Sequence, residues 1–173
     1  MTMPQRLPPT LLPGRQEPMG ALARDGGVNF AVFSQHAQRV EVCIFDAEGT
    51  VELRRYALHG PHDGVWNGFL PDVGAGLVYG LRAHGPYAPE QGHRFNPHKL
   101  LLDPNAREIV GHFSWAPEHH GYEVGHPEGP RSFDTRDNAV AMRKARAGWL
   151  SWRSRSKVGP GSTRPKWTWQ LTM

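Results

Sequence analysis

The sequence predicts an all-β fold, a β-sandwich. Three observations carry this. Five short segments alternate apolar and polar residues as half-buried strands do. Turns rich in Gly, Pro and Asp separate them at intervals of about 8–14 residues. No stretch of helical length shows a 3.6-residue apolar period. Residues 1–17, with Pro4, Pro8, Pro9 and Pro13, read as an extended lead-in. Residues 28–34 form the first strand, with Val28, Phe30 and Val32 on one face. Residues 40–45 form the second, with Val40, Val42 and Ile44 sharing a face. A tight turn at 46–49 leads into a third over 51–56. Residues 65–70 make a fourth, closed by Pro71. Residues 77–84 make a fifth, with Tyr79, Leu81 and Ala83 on one face and Arg82 and His84 on the other. Residues 95–105 read as a short ordered segment between Pro stops. Residues 111–137, rich in Gly, His and Pro, read as a long loop.

Composition narrows the function classes. Twenty Gly and sixteen Pro make up about a fifth of the 173 residues, under the roughly 25–30% at which disorder becomes the default. The apolar runs are only a few residues long, against the ~20 of a membrane helix. The first residues lack the apolar core of a secretory signal. Cys43 is the single cysteine and cannot form an internal disulfide. A reducing, cytoplasmic setting without a membrane partner is the expectation. The net charge of +4 is unevenly spread: residues 1–142 hold 12 Lys and Arg and all 16 acids, and residues 143–173 hold 8 basic groups and no acid. That last segment also holds Trp149, Trp152, Trp167 and Trp169. We set a boundary at Arg143 on this change.

Residues 18–34, 40–46 and 64–66 resemble the opening of an isoamylase-type N-terminal domain. The most specific part is Tyr79-Gly-Leu-Arg-Ala-His-Gly-Pro-Tyr87, continued by Gly92-His-Arg-Phe-Asn-Pro-His-Lys-Leu-Leu-Leu-Asp-Pro104. Together these segments resemble the start of bacterial glycogen debranching enzymes of the α-amylase superfamily (glycoside hydrolase family 13). The resemblance covers about residues 18–142, and the domain type is carbohydrate-binding module family 48. It implies an immunoglobulin-like β-sandwich ahead of a (β/α)8 barrel that hydrolyses α-1,6 branch points in glycogen, with an Asp nucleophile and a Glu acid/base in the barrel. A barrel needs about 250 residues, so no catalytic residue is carried over and this chain is expected to be inactive alone. The resemblance implies no metal or organic cofactor. The expected organisation is lead-in 1–17, sandwich 18–104, loop-rich linker 105–142 toward an absent barrel, and a divergent basic tail 143–173. The family pattern continues past Met142 with Pro-Lys and an apolar strand. This chain departs from it at Arg143, and we read the tail as a shifted reading frame or another unselected extension, with disorder as the expectation.

The expected partners are glycogen or another α-glucan, and the barrel. Carbohydrate modules lay sugar rings on exposed aromatic faces framed by hydrogen-bond donors. Trp66, Tyr79, Arg82, His84 and Tyr87 are the candidates, with a core position as the competing reading of Trp66 and Tyr79. Family members that hold glycogen tightly carry a Trp in the loop after an early strand and a Lys beside the Tyr of the late strand. Here the loop is 46–49 and the residue after Tyr79 is Gly80. Arg94, Phe95, Asn96, Leu100, Leu101 and Leu102 are read as a barrel-docking element, because three consecutive Leu cannot all enter one sandwich face. An unmet docking surface predicts poor solubility. The histidines show no ligand spacing, and Cys43 reads as a packing residue. Two rivals stand beside this reading: a free-standing glucan-binding or protein-interaction module, and a polyanion- or nucleic-acid-binding tail of interleaved Arg, Lys and Trp.

Overall fold

The computed structural model describes residues 7–149. Two five-stranded sheets face each other across one apolar core. The first has the order β12-β1-β2-β6-β5, formed by β1 (Gly20–Arg24), β2 (Gly27–Phe33), β5 (His59–His62), β6 (Val65–Pro71) and β12 (Gly148–Trp149). The second has the order β10-β11-β7-β3-β4, formed by β3 (Arg39–Phe45), β4 (Glu52–Ala57), β7 (Val78–His84), β10 (Glu108–Val110) and β11 (Lys144–Arg146). A short hairpin, β8 (Tyr87–Ala88) with β9 (His93–Arg94), lies outside both sheets. The all-β sandwich expected from the sequence is the observed architecture.

The alternation of the strands selects the core. Val28, Phe30 and Val32 of β2 and Trp66 and Leu70 of β6 meet Val40, Val42 and Ile44 of β3 and Tyr79 and Leu81 of β7. The Phe30 and Tyr79 rings join the sheets edge to face, their centroids 5.4 Å apart. Each fully buried apolar side chain of this size stabilises the fold by about 1.5–3 kcal/mol. Two hairpins close on Asp-Gly pairs whose residues all have positive φ: Asp25 (50°) with Gly26 (77°), and Asp63 (51°) with Gly64 (78°). That backbone matches the twist of the flanking strands, and Asp-Gly is the pair that tolerates it.

The second sheet is covered on its outer face as well. Cys43, Phe45 and Val78 point away from the main core and meet Leu100, with Val110, Ala139 and Met142 around them. Leu100 can lie there because β7 offers Gly80: a Cβ on Gly80 would sit 2.7 Å from Leu100 Cδ1. Phe95 covers Gly85 in the same way, with ring atoms 2.6 Å from where a Cβ would be. Leu101 exchanges both backbone hydrogen bonds with Leu81, at 2.8 and 2.9 Å, and so extends the sheet edge. Residues 96–100 are stitched to 134–138. Asn96 Nδ2 donates to the Asp134 carbonyl (2.8 Å), Lys99 Nζ to the Arg136 carbonyl (2.8 Å), and the Leu100 amide to Asn138 Oδ1 (2.6 Å).

Two expectations about organisation are corrected here. Residues 105–142 are not a linker: they supply β10 and much of the outer layer over the second sheet. The described part of the lead-in, expected only as an extended segment, is tied to the sandwich, since Leu12 pairs with Phe69, and Asn29 Oδ1 and Nδ2 bond the Arg15 amide and carbonyl. The sandwich also continues past Arg143. β11 lies between β10 and β7, and β12 runs parallel to β1 in the other sheet. Ala145 and Ala147 between them belong to the main core. Lys144 is buried, and its ammonium lies 5.0 Å from the Phe45 ring centroid and donates to the carbonyls of Ala139 and Met142. Trp152, Trp167 and Trp169, and with them most of the predicted tail, lie outside the described residues.

Candidate carbohydrate-binding surface

Strand β7 was the main source of candidate sugar contacts, and burial decides most of them. Trp66 is in the core, with Nε1 donating to the Ser34 carbonyl at 3.0 Å. Tyr79 is in the core, with its hydroxyl donating to Asp103 Oδ2 at 2.6 Å. Neither ring offers a face to a pyranose. Arg82 is 1% exposed. Its guanidinium donates from Nη1 to the Pro97 carbonyl (3.0 Å) and from Nη2 to Asp137 Oδ2 (2.7 Å), with Glu52 at 3.6 Å. Arg82 is therefore the charged anchor that holds the outer layer on the sheet. Burial raises the Asp137 carboxyl, but the hydrogen bond and charge of Arg82 outweigh it and leave Asp137 below the usual carboxylate range. His84 and Tyr87 keep partial exposure. His84 Nε2 lies 2.9 Å from Glu41, which also pairs with Arg39 at 2.6 Å. The Tyr87 hydroxyl donates to the Pro130 carbonyl at 3.1 Å, and its ring meets Phe133 edge on.

The expected docking element is mostly consumed within the chain. Leu100 is 1% exposed and Asn96 is buried, while Phe95, Leu101 and Leu102 are half-buried and Arg94 is exposed. The second surface that the three Leu were expected to need is supplied by the outer face of β3 and β7. Asn96 is spent on the Gly121 and Asp134 carbonyls.

The layer over the second sheet encloses a cavity of about 290 Å3. Phe95, Leu100, Leu101, Phe113 and Met142 form its apolar wall, with Lys99 and Asn138 among its polar atoms. Burial lowers the Lys99 ammonium against the opposing charge of Asp134. Asp134 itself is pushed down to about 2, chiefly by its hydrogen bond with Arg136.

Beside the cavity lies a group of rings that the sequence reading left in an unassigned loop. Phe113 stacks on His119 at 4.9 Å with an interplanar angle of 18°. Trp115, 74% exposed, stands 5.8 Å from His120, and His120 stands 5.1 Å from Tyr122. His119 is fixed at both nitrogens. Nε2 donates to the Ser114 carbonyl (2.8 Å), and Nδ1 is left to accept from Asn138 Nδ2 (3.4 Å). Arg136, paired with Glu118 at 2.8 Å and with Asp134 at 2.7 Å, puts a charged, hydrogen-bonding group beside this segment. The only sequence signal was aromatic density (Phe113, Trp115, Tyr122) in a Gly- and Pro-rich stretch. Among the described residues, no group of three or more His, Cys, Asp or Glu converges to hold a metal ion. Burial pushes the Cys43 thiol up to about 12, so it packs as a neutral apolar group.

The family model for carbohydrate-binding module 48, the isoamylase N-terminal domain, matches residues 18–106. The chain belongs to this family. Its fold is similar to that in the catalytic module of SpuA, a glycogen-degrading pneumococcal virulence factor, solved with an inhibitor: TM-score 0.51, 16% identity, over 78% of this chain and 17% of that one. A product complex of multi-modular SpuA aligns with TM-score 0.52 and 17% identity over 78% of this chain and 12% of the other. At such identities the likeness is one of fold. The carbohydrate-binding module thus spans about a sixth or less of the length of these structures. The family match ends at residue 106, so the matched region covers Trp66, Tyr79, Arg82, His84 and Tyr87, whereas the exposed Trp115 lies beyond it.

Proposed function

We propose that this chain is the N-terminal, glucan-associated module of a glycogen-debranching glycoside hydrolase. The observation that carries the reading is the family match over residues 18–106, which makes a carbohydrate-binding role the first expectation for this sandwich. The longer glycogen-degrading structures of like fold support a place beside a catalytic domain. That domain is a (β/α)8 barrel whose carboxylates hydrolyse α-1,6 linkages, and the sandwich serves it by holding branched substrate near the barrel and bracing it. With a single buried cysteine, the module works in a reducing, cytoplasmic compartment.

Native electrophoresis through gels with and without glycogen tests this. The expected result is retardation of the 173-residue chain in the glycogen gel alone, with no release of sugar from limit dextrin by the same preparation. Equal mobility in both gels overturns the glucan-associated role. Hydrolysis by this chain overturns the assignment of the chemistry to a separate barrel.

A further inference from the structure

We infer that the exposed ring of Trp115, flanked by the half-buried rings of His120 and Tyr122, forms a binding platform for an α-glucan chain, outside the region that the family model covers. The inference rests on the glucan-associated role proposed above and assigns that role a location. A pyranose ring has an apolar C–H face and a rim of hydroxyls. It is recognised by an accessible aromatic face flanked by polar groups on a pre-ordered surface.

This segment meets each requirement. Trp115 is 74% exposed. His120, half-buried, stands 5.8 Å away and nearly perpendicular (81°), and half-buried Tyr122 stands 5.1 Å beyond it at 44°, so Trp115 supplies the stacking face and the other two flank it. Each of those three side chains has a polar atom at its edge, as sugar hydroxyls require. The Glu118–Arg136 ion pair adds charged donors and acceptors beside them. The base of the platform is already ordered, because His119 is stacked on Phe113 and bonded at both nitrogens. Little ordering remains to be done on binding, which removes a usual cost of association. Inside the family-matched region, by contrast, the aromatic candidates Trp66 and Tyr79 are buried, and the half-buried Tyr87 ring is engaged edge on by Phe133.

An apolar protein partner is the competing occupant, and Val140 separates the two. It is 91% exposed, and its neighbour Ala141 accepts a hydrogen bond from the Ser114 amide. A protein interface would use this side chain, whereas a sugar would gain little from it. The experiment measures glycogen-gel retardation and maltoheptaose-titrated tryptophan fluorescence for the full chain, Trp115→Ala and Val140→Ser. Circular dichroism and sedimentation velocity accompany each sample. The expected result is a loss of affinity of about tenfold or more in Trp115→Ala, near-unchanged binding in Val140→Ser, and the same fold and monomer mass in all three. If the full chain binds and Trp115→Ala binds equally well, the platform is wrong while the glucan role stands. If the full chain does not bind, the glucan role fails and the platform falls with it. Equal loss in both variants shows that the sugar contact is not centred on Trp115, and a dimer that Trp115→Ala dissociates identifies a protein-docking face; either overturns the inference.

Discussion

Tyr79 and Asp103 share a buried hydrogen bond of 2.6 Å that ties the central strand of the second sheet to the segment leaving the outer layer. The tyrosine hydroxyl donates, and Asp103 accepts a second bond from the Asn105 amide at 2.8 Å. Burial nevertheless raises the Asp103 carboxyl above its ordinary range.

Tyr79→Phe removes a donor from a buried carboxylate and is expected to cost about 1–3 kcal/mol. The loss falls most heavily on the ionised form of Asp103, the stronger acceptor. The deficit should therefore be small in acid and grow as pH rises through the raised folded pKa. In the wild type the same raised pKa contributes stability that is present below the unfolded value and lost on that rise. Urea unfolding of both proteins at pH 4.5 and pH 7.5 checks this. An equal deficit at the two pH values would contradict it.

Gly80→Val places a branched side chain where Leu100 already sits, 2.7 Å from the position of a Cβ. The expected destabilisation is about 1–3 kcal/mol, and the double variant with Leu100→Ala should recover part of it, because the two changes share one space. A thermodynamic cycle from urea unfolding measures the coupling. Simple additivity would mean that Leu100 does not occupy that face in solution.

Acid should loosen the outer layer before the sandwich. Asp134 is held at about 2, first by its hydrogen bond with Arg136 and further by Lys99, against an ordinary value of 3.8. A depressed carboxylate contributes stability that is present above 3.8 and lost as pH falls through about 2. Trp115 lies in this layer, so tryptophan fluorescence should change between pH 4 and pH 2 while far-UV circular dichroism stays nearly constant. Asp134→Asn should flatten the fluorescence change over that interval.

A chain ending at residue 142 should be less stable than one ending at 149 by at least about 3 kcal/mol. It loses the hydrogen bonds of β11 to β7 and β10, and the burial of Ala145 and Ala147. Urea midpoints of the two chains decide this. Equal midpoints would show that the strands are dispensable and would restore the boundary at Arg143.

The strands with bulky alternating residues were legible: Val28, Phe30 and Val32, then Val40, Val42 and Ile44, then Tyr79 and Leu81, all point into the core. Strand β1 was not, because Ala21 and Ala23 are too small to stand out as an apolar face. β5, with the sequence His-Gly-Pro-His, exists because the Asp63-Gly64 turn returns it onto β6. β11 was hidden by charge. Its Lys and Arg drew attention as a basic run, whereas the core residues Ala145 and Ala147 are two apart, with only a methyl each to mark the pattern. Trp66 and Tyr79 illustrate a different limit. An aromatic on a strand is assigned to core or surface by which face the neighbouring sheet covers, and only the fold decides that. Trp115 was missed for the reverse reason, since exposure within an irregular segment depends on how Phe113 and His119 pack beneath it.

The contact between Gly80 and Leu100 constrains anyone wishing to engineer this scaffold. Grafting the lysine that strong glycogen binders carry beside their strand tyrosine would not install a new grip on sugar, because the space is taken by the molecule's own leucine. A redesign would first have to re-route residues 95–101. Directed evolution toward tighter adhesion should therefore accumulate changes around Trp115 rather than along β7.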